Sequence, residues 1–453
     1  MKKFNYLIVV VMIFGIVLMS CDKKDKFFVT FNSNEGSTVS SQTVKEGKKV
    51  TKPNDPTRDG YTFVAWYKDS SFTNEWNFDT GVVNADITLY AKWEQYVFTV
   101  TFNSNGGSAV LPQTVKKGEK ITKPNDPTRD EYIFIAWYSE VIPPSRAELI
   151  YEWNFDNVFD YIYTDITLHA KWYAIDKQFK INGLTLDNYP IVDGSTSTLP
   201  LNQLIACKLL DIPKEWISRK PYSEKFWEHV KASQTHQSFI NLIDNKVDLT
   251  LSARTMSPDE KGYADAAGVT LIETPIALDA FIFVVNPNNP IKSLTIKQVQ
   301  DIYTGKITNW SEVGGNNAKI NPYVRDPNSG SQELMESLVM KDLDFMEFPE
   351  SPDMISSMIL VFDIVSTDVN AICYSLYYYK EHILKTTLTK TIAIEGIIPD
   401  KITISDYSYP LVAEVYAIIR SDLDKSSMAY KLYELLQTED GKRVIEESGY
   451  VPY

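Results

Sequence analysis

Three kinds of hydrophobic patterning divide the chain. Behind Lys2 and Lys3 an unbroken apolar run, YLIVVVMIFGIVLMS, reaches to Cys21. From Val29 to Trp172, short runs rich in β-branched and aromatic residues are parted by Asn-Gly, Gly-Ser and Pro-Asn-Asp-Pro turns, and these predict short strands. Beyond Tyr173 apolar residues fall at helical spacing and alternate with short apolar runs such as Phe281 to Val285. Such alternation predicts an α/β unit with its ligand sites at the C-terminal ends of strands. Capping boxes are expected at Ser257–Glu260, Thr295–Gln298 and Ser329–Gln332, where two side chains would satisfy each other's backbone amides at a helix start.

The middle region is an internal repeat. VTFNSNEGSTVSSQTV, from Val29, returns as VTFNSNGGSAVLPQTV from Val100; EWNFD at Glu75 returns at Glu152, and DITLYAKW ending at Trp93 returns as DITLHAKW ending at Trp172. The second copy is longer only around Ser139–Tyr151, where a surface loop accepts an insertion. Each copy reads as a small antiparallel β module. Trp66, Trp76 and Trp93, with their counterparts, are expected to fill its core, since a small module needs large aromatics to bury enough surface. The two copies, about 27–94 and 98–173, resemble the Listeria–Bacteroides repeat of surface proteins. That resemblance implies a compact β-grasp-like fold acting as a stalk or adhesive spacer, and no chemistry.

A length of 453 residues calls for several domains. The net charge of −14 argues against nucleic acid or an anionic membrane surface as the main partner. The apolar N-terminal run followed by LMSC and DKKDK resembles a lipoprotein signal peptide over residues 1–20, with Cys21 acylated. It implies a lipid anchor on the outer face of the cell membrane; an uncleaved membrane anchor is the alternative. Cys207 and Cys373 sit in apolar surroundings and read as buried core rather than a disulfide. The four histidines show no metal-ligand spacing, and neither a metal nor a cofactor is expected.

Two stretches carry the candidate chemistry. In DGSTSTLP, Pro200 suits the first turn of a helix whose Leu201, Leu204, Ile205 and Leu209 share a face. Ser195 to Thr198 then sit before a helix N-terminus, where unpartnered amides and the helix dipole favour an anion. Alone, the stretch reads more readily as a simple cap. The second stretch, VRDPNSGSQEL, sets Arg325 four residues ahead of Ser329, Gly330 and Ser331. Glycine lets backbone approach a ligand, and arginine can clamp an oxyanion with paired donors. Facing each other across a cleft, the two would bind a small tetrahedral anion. His236 has no evident nucleophile or orienting partner and reads as a solvated loop residue, so no enzyme is expected. Arg254 is equally a ligand group or a surface arginine.

PIALDAFIFVVNPNNPIKSLTIKQVQDIYTGKITNWSEVGG, RDPNSGS and LLQTEDGKRVIEESGYVPY resemble the phosphate-binding proteins of ABC transporters, over about 181–453. The resemblance implies a type II periplasmic-binding fold of two α/β lobes, one about 181–276 with 404–453 and the other about 277–403. The whole chain is then two β-grasp-like modules followed by a two-lobed α/β domain. Carried over by position, the family's phosphate contacts fall on Thr198, the amide of Leu199, Thr235, Arg325, Ser329, Gly330 and Ser331. Two positions depart: Ala253 stands where an aspartate would accept the proton that phosphate carries and sulfate lacks, and Pro327 replaces a second acid, with Asp326 adjacent. The implied function is an anchored solute-binding lipoprotein that delivers phosphate or a similar small oxyanion to an ABC permease. The alternative is a surface adhesion or sensing protein with a repurposed binding domain.

Overall fold

A computed structural model of the chain describes residues 25–139, 151–156, 161–327, 329–348, 354–355 and 357–453. The apolar N-terminal run, the acylation expected at Cys21 and the insertion expected after Ser139 lie outside them. Among the described residues no helix is long and apolar enough to cross a membrane. The chain divides into two units, residues 1–129 with 136–171, and residues 130–135 with 172–453.

In the first repeat four strands lie in the order Gln42–Lys45, Lys26–Asn32, Ile87–Gln95, Tyr61–Tyr67. Lys26–Asn32 is antiparallel to Gln42–Lys45 but parallel to Ile87–Gln95, with Val29 opposite Ile87. The second repeat does the same, Val100 lying opposite Ile166 in a parallel pair. The modules are therefore mixed sheets, not the antiparallel ones expected. Turn residues announce hairpins locally, whereas the parallel pair joins the first and last strands of a copy across a long crossover. Alternation along Lys26–Asn32 turns Val29 and Phe31 inward. There they meet Trp66 and Trp76, with the Phe31 and Trp66 rings edge to face at 4.9 Å. Phe102 and Trp137 repeat that contact at 5.0 Å. Trp93 is only half-buried and donates from its indole N–H to the Ser33 carbonyl at 2.8 Å.

One sheet runs through the α/β unit in the order Val192–Gly194, Leu249–Ser252, Val412–Arg420, Leu271–Val285, Ala371–Leu376, Asn321–Pro322. The 15-residue strand Leu271–Val285 serves both halves. Leu271 to Ala280 pairs with Val412–Arg420, and Phe281 to Val285 pairs with Ala371–Leu376. Its side chains change cores on the way. Ile276 and Ala277 pack with Leu201, Ile205, Leu251 and Val415. Leu278 and Ala280 to Val285 pack with Trp310, Met335, Val361 and Tyr374. The partner strand crosses likewise, with Ala413 in the second core and Val415 in the first. Two α/β lobes thus share one pair of crossing strands. Burial on both faces explains why Phe281–Val285 reads as an unbroken apolar run.

Asp279 lies at the crossing and is fully buried. Its Oδ1 accepts the amides of Ala280 (2.7 Å) and Tyr378 (2.9 Å), while Oδ2 is buried without a partner. Burial raises its pKa from the ordinary 3.8 to about 7. Between those values the folded chain holds a proton that the unfolded chain has lost, so stability falls as pH rises through this window. Asp279→Asn keeps an acceptor oxygen and carries no charge. Its advantage over wild type in urea unfolding should grow from about pH 4 to about pH 7 and then level off; a difference that does not change with pH would contradict the assigned ionisation.

Candidate functional site

A cavity of about 480 Å³ opens between the two lobes of the α/β unit, and four chain segments bring polar residues to it. The first is the turn after Val192–Gly194. Gly194 is required there, because a Cβ would fall 2.3 Å from the Leu251 carbonyl oxygen and 2.7 Å from Thr198 Oγ1. Asp193 is fully buried and fixes the turn: Oδ1 accepts the amides of Gly194 and Ser233 at 2.8 Å, and Oδ2 accepts Asn241 Nδ2 at 2.9 Å.

Ser195, Thr196 and Ser197 line the cavity, whereas Thr198 and Leu199 do not. Thr198 is fully buried, its amide donates to the Ser195 carbonyl, and its Oγ1 lies 2.9 Å from the Leu251 carbonyl oxygen. Ser195 Oγ bridges Ser197 Oγ (3.1 Å) and Thr198 Oγ1 (3.2 Å). The close approach that Gly194 permits draws the Thr198 hydroxyl onto the neighbouring strand. Residues one to three positions earlier therefore face the opening. The helix Leu199–Leu210 follows, with Pro200 in its first turn as expected.

The second segment opens the helix Thr235–Ile243 and presents Gln234, Thr235, His236 and Gln237. Gln234 has φ 71° and ψ 162°, a region of backbone conformation that is almost reserved for glycine. His236 is helical rather than in a loop, and its Nδ1 lies 3.1 Å from Glu260 Oε1. The fully buried Glu260 also takes a paired ion contact from Arg254 at 2.7 and 2.8 Å. Arg254 is therefore neither a surface group nor an available ligand: it is buried and its charge is matched.

The third segment holds Arg325, Asp326, Ser329, Gly330 and Ser331. Arg325 is 6% exposed. Its amide donates to Gln332 Oε1 (3.2 Å) and Tyr374 Oη (2.9 Å), and its Nε donates to Ser331 Oγ (3.2 Å). Nη1 is buried with no partner among the described residues. Burial lowers the guanidinium pKa, yet the group stays a cation. It is the only arginine or lysine lining the cavity among the described residues. Gly330 brings this segment against the second one, since a Cβ on it would lie 2.5 Å from Thr235 Oγ1. Ser329 caps its helix by accepting the Gln332 amide at 3.3 Å, but Gln332 does not reciprocate. Its side chain is held by Tyr374, the Arg325 amide and Glu336 instead.

Sequence reasoning missed the fourth segment. Ser357, Met358 and Ile359 open the helix Met358–Thr367, and Leu376 and Tyr379 lie beside them on the cavity wall. The signal was a serine before the apolar run MILVFDIV, which also fits a buried helix with an ordinary cap. Of the residues expected at the site, Thr235, Arg325, Ser329, Gly330 and Ser331 come together on one cavity with Ala253, which is buried. The arrangement offers hydroxyls, helix-start amides and one unmatched cation, a donor set suited to a compact anion.

Gln234→Gly should relieve about 1–3 kcal/mol of backbone strain, against about 0.5–1 kcal/mol lost to a freer unfolded chain. Chemical denaturation should show a net gain of about 1 kcal/mol. A loss would mean that the Gln234 side chain stabilises the turn by more than its backbone costs.

Comparison with known proteins agrees with this division of the chain. Residues 27–92 and 98–171 match the Listeria-Bacteroides repeat domain, and residues 220–432 match the PBP superfamily domain. The chain is 25% identical over 217 residues to the phosphate-binding protein PstS of Borreliella burgdorferi, covering 47% of this chain and 75% of that protein. PstS of Bacillus subtilis is 27% identical over 195 residues, covering 43% and 61%. A protein of Evansella cellulosilytica is 37% identical over 148 residues, and the chain spans only 16% of it; a second spans similarly, at 21%. Among solved structures, an ABC-type phosphate transport receptor from Vibrio cholerae is 23% identical, with a TM-score of 0.44, covering 57% of this chain and 98% of that one. The chain thus matches the Listeria-Bacteroides repeat domain over residues 27–92 and 98–171 and the PBP superfamily domain over residues 220–432, and it is similar to PstS proteins.

Proposed function

We propose that the α/β unit is a solute-binding domain that holds an oxyanion of the phosphate class between its lobes. The observation that carries this reading is Arg325, a buried cation on the cavity with Nη1 unpartnered and no ion pair among the described residues. A buried charge is costly until something pairs with it. Ser329, Gly330 and Ser331 stand beside it, with Thr235 opposite, so the anion receives donors from both lobes and stabilises their contact. Ser195 to Ser197 fill the role expected of Thr198 and Leu199. The cycle is binding, closure and release, with no covalent step. The relatives named phosphate-binding protein PstS support the ligand class, and on this reading the bound anion is delivered to an ABC permease. On this reading Cys21 carries the lipid that holds the chain on the outer face of the cell membrane, and the repeats act as a spacer.

The repeats also favour a second reading, a surface adhesion or sensing protein whose binding domain has been repurposed. Titration calorimetry with phosphate and sulfate separates the two. Phosphate should bind, and Arg325→Ala should weaken it by about 1.5–3 kcal/mol, the range for a hydrogen bond to a charged group. Unchanged affinity in the variant would place the anion elsewhere, and silence with both anions would favour the second reading. Because Ala253 offers no acceptor for the phosphate proton, phosphate should be preferred over sulfate by less than about a hundredfold, the most that one charged hydrogen bond supplies. A sharper preference would mean that another acceptor, Asp326 first, takes the proton.

A further inference from the structure

The cavity is large for a bare tetrahedral oxyanion. Its volume of about 480 Å³ falls within the roughly 300–1,000 Å³ of pockets that take drug-sized molecules. Gly330 and Thr235 meet across the cleft, so the lobes already touch at one point beside this space.

The surplus space has an apolar wall. Met358 and Ile359 form the start of one helix, and Tyr379 stacks on Phe362 of the same helix with ring centroids 6.0 Å apart and planes 24° from parallel. Leu376 continues the wall from the end of its strand. Ile359 is 48% exposed, an unusual state for an isoleucine on a cavity. Tyr379 also feels the charge of Arg325, so the apolar wall adjoins the cationic end rather than lying remote from it. Met358, Ile359 and Leu376 offer an oxyanion no hydrogen bond, and Tyr379 adds a ring with a single hydroxyl at its tip.

The polar end supplies many donors, but its acceptors are almost all neutral hydroxyl and amide oxygens. Asp326 is the one carboxylate among the lining residues, and Ala253 presents a methyl group. Near neutral pH inorganic phosphate carries an O–H that needs an acceptor. A fully ionised phosphomonoester carries none, because an organic group replaces the proton.

We propose that the preferred ligand is a phosphomonoester with an apolar or aromatic substituent. Its phosphoryl oxygens lie on Arg325, Ser329 to Ser331 and Thr235, and its organic group covers Tyr379, Leu376, Met358 and Ile359. The proposal rests on the oxyanion reading above and names its ligand class.

The test is calorimetry of the full chain at pH 8 with inorganic phosphate, methyl phosphate and phenyl phosphate. Phenyl phosphate should bind at least about tenfold more tightly than inorganic phosphate, as burial of a ring against apolar surface requires, with methyl phosphate between them. Tyr379→Ala should remove most of that gain. Ile359→Ser, at an exposed position that does not threaten folding, should reduce it by about threefold and should leave the affinity for inorganic phosphate unchanged. Phenyl phosphate binding no tighter than inorganic phosphate would overturn this proposal and leave the oxyanion reading standing. A gain that survives both substitutions would also overturn it, by placing the organic group elsewhere. No binding of any of the three would overturn both.

Discussion

The antiparallel pair Leu271–Val285 and Val412–Arg420 runs through both of the lobes between which the cavity opens. Because those two strands belong to both cores, a small change of twist where they cross moves one lobe against the other while each core stays packed. The crossing is also where a fully buried carboxyl, Asp279, ties the strand to the amide of Tyr378. Tyr378 stacks on Tyr450 at 3.7 Å, and the Tyr450 hydroxyl donates to the Ser197 carbonyl at 3.0 Å. One short chain of contacts thus runs from the crossing strands to the turn that lines the cavity.

Two buried arginines show how burial separates structural charge from functional charge. Arg254 and Arg325 are equally hidden, at 6% exposure. Arg254 is matched by Glu260, which also accepts the Ser257 amide at 2.8 Å and contacts His236, so its charge is spent on holding one lobe together. Arg325 has serine, glutamine and tyrosine oxygens around it and no carboxylate partner among the described residues. On the proposed reading an anion relieves this cation, which would link ligand binding to domain stability.

Much of this was legible where the signal is local. The boxes at Ser257–Glu260 and Thr295–Gln298 form as their spacing predicts, and the tryptophans Trp66 and Trp76 are core. Arg325 and Ser329 to Ser331, expected to share one anion, line one cavity, and the bond from Arg325 Nε to Ser331 Oγ comes in addition. What escaped the sequence depends on partners distant along the chain. Gln332 abandons its capping role because Tyr374 and Glu336 compete for it. Thr198 turns inward because the Leu251 carbonyl is within reach. The parallel strand pair of each repeat and the apolar wall at Met358 and Tyr379 likewise arise from contacts that no local pattern encodes. Gln234 is the converse case, a glycine-like conformation at a position where the resemblance places a glycine and this chain has none.

The central claim is that the unmatched guanidinium of Arg325 is the anchor for an anion between the lobes. A crystal structure of the full chain grown with phosphate tests it most directly. The account predicts a tetrahedral anion within hydrogen-bonding distance of Arg325 Nη1 and in contact with the segment Ser329–Ser331. An anion bound elsewhere, with Arg325 Nη1 turned to water or to a carboxylate, would contradict it.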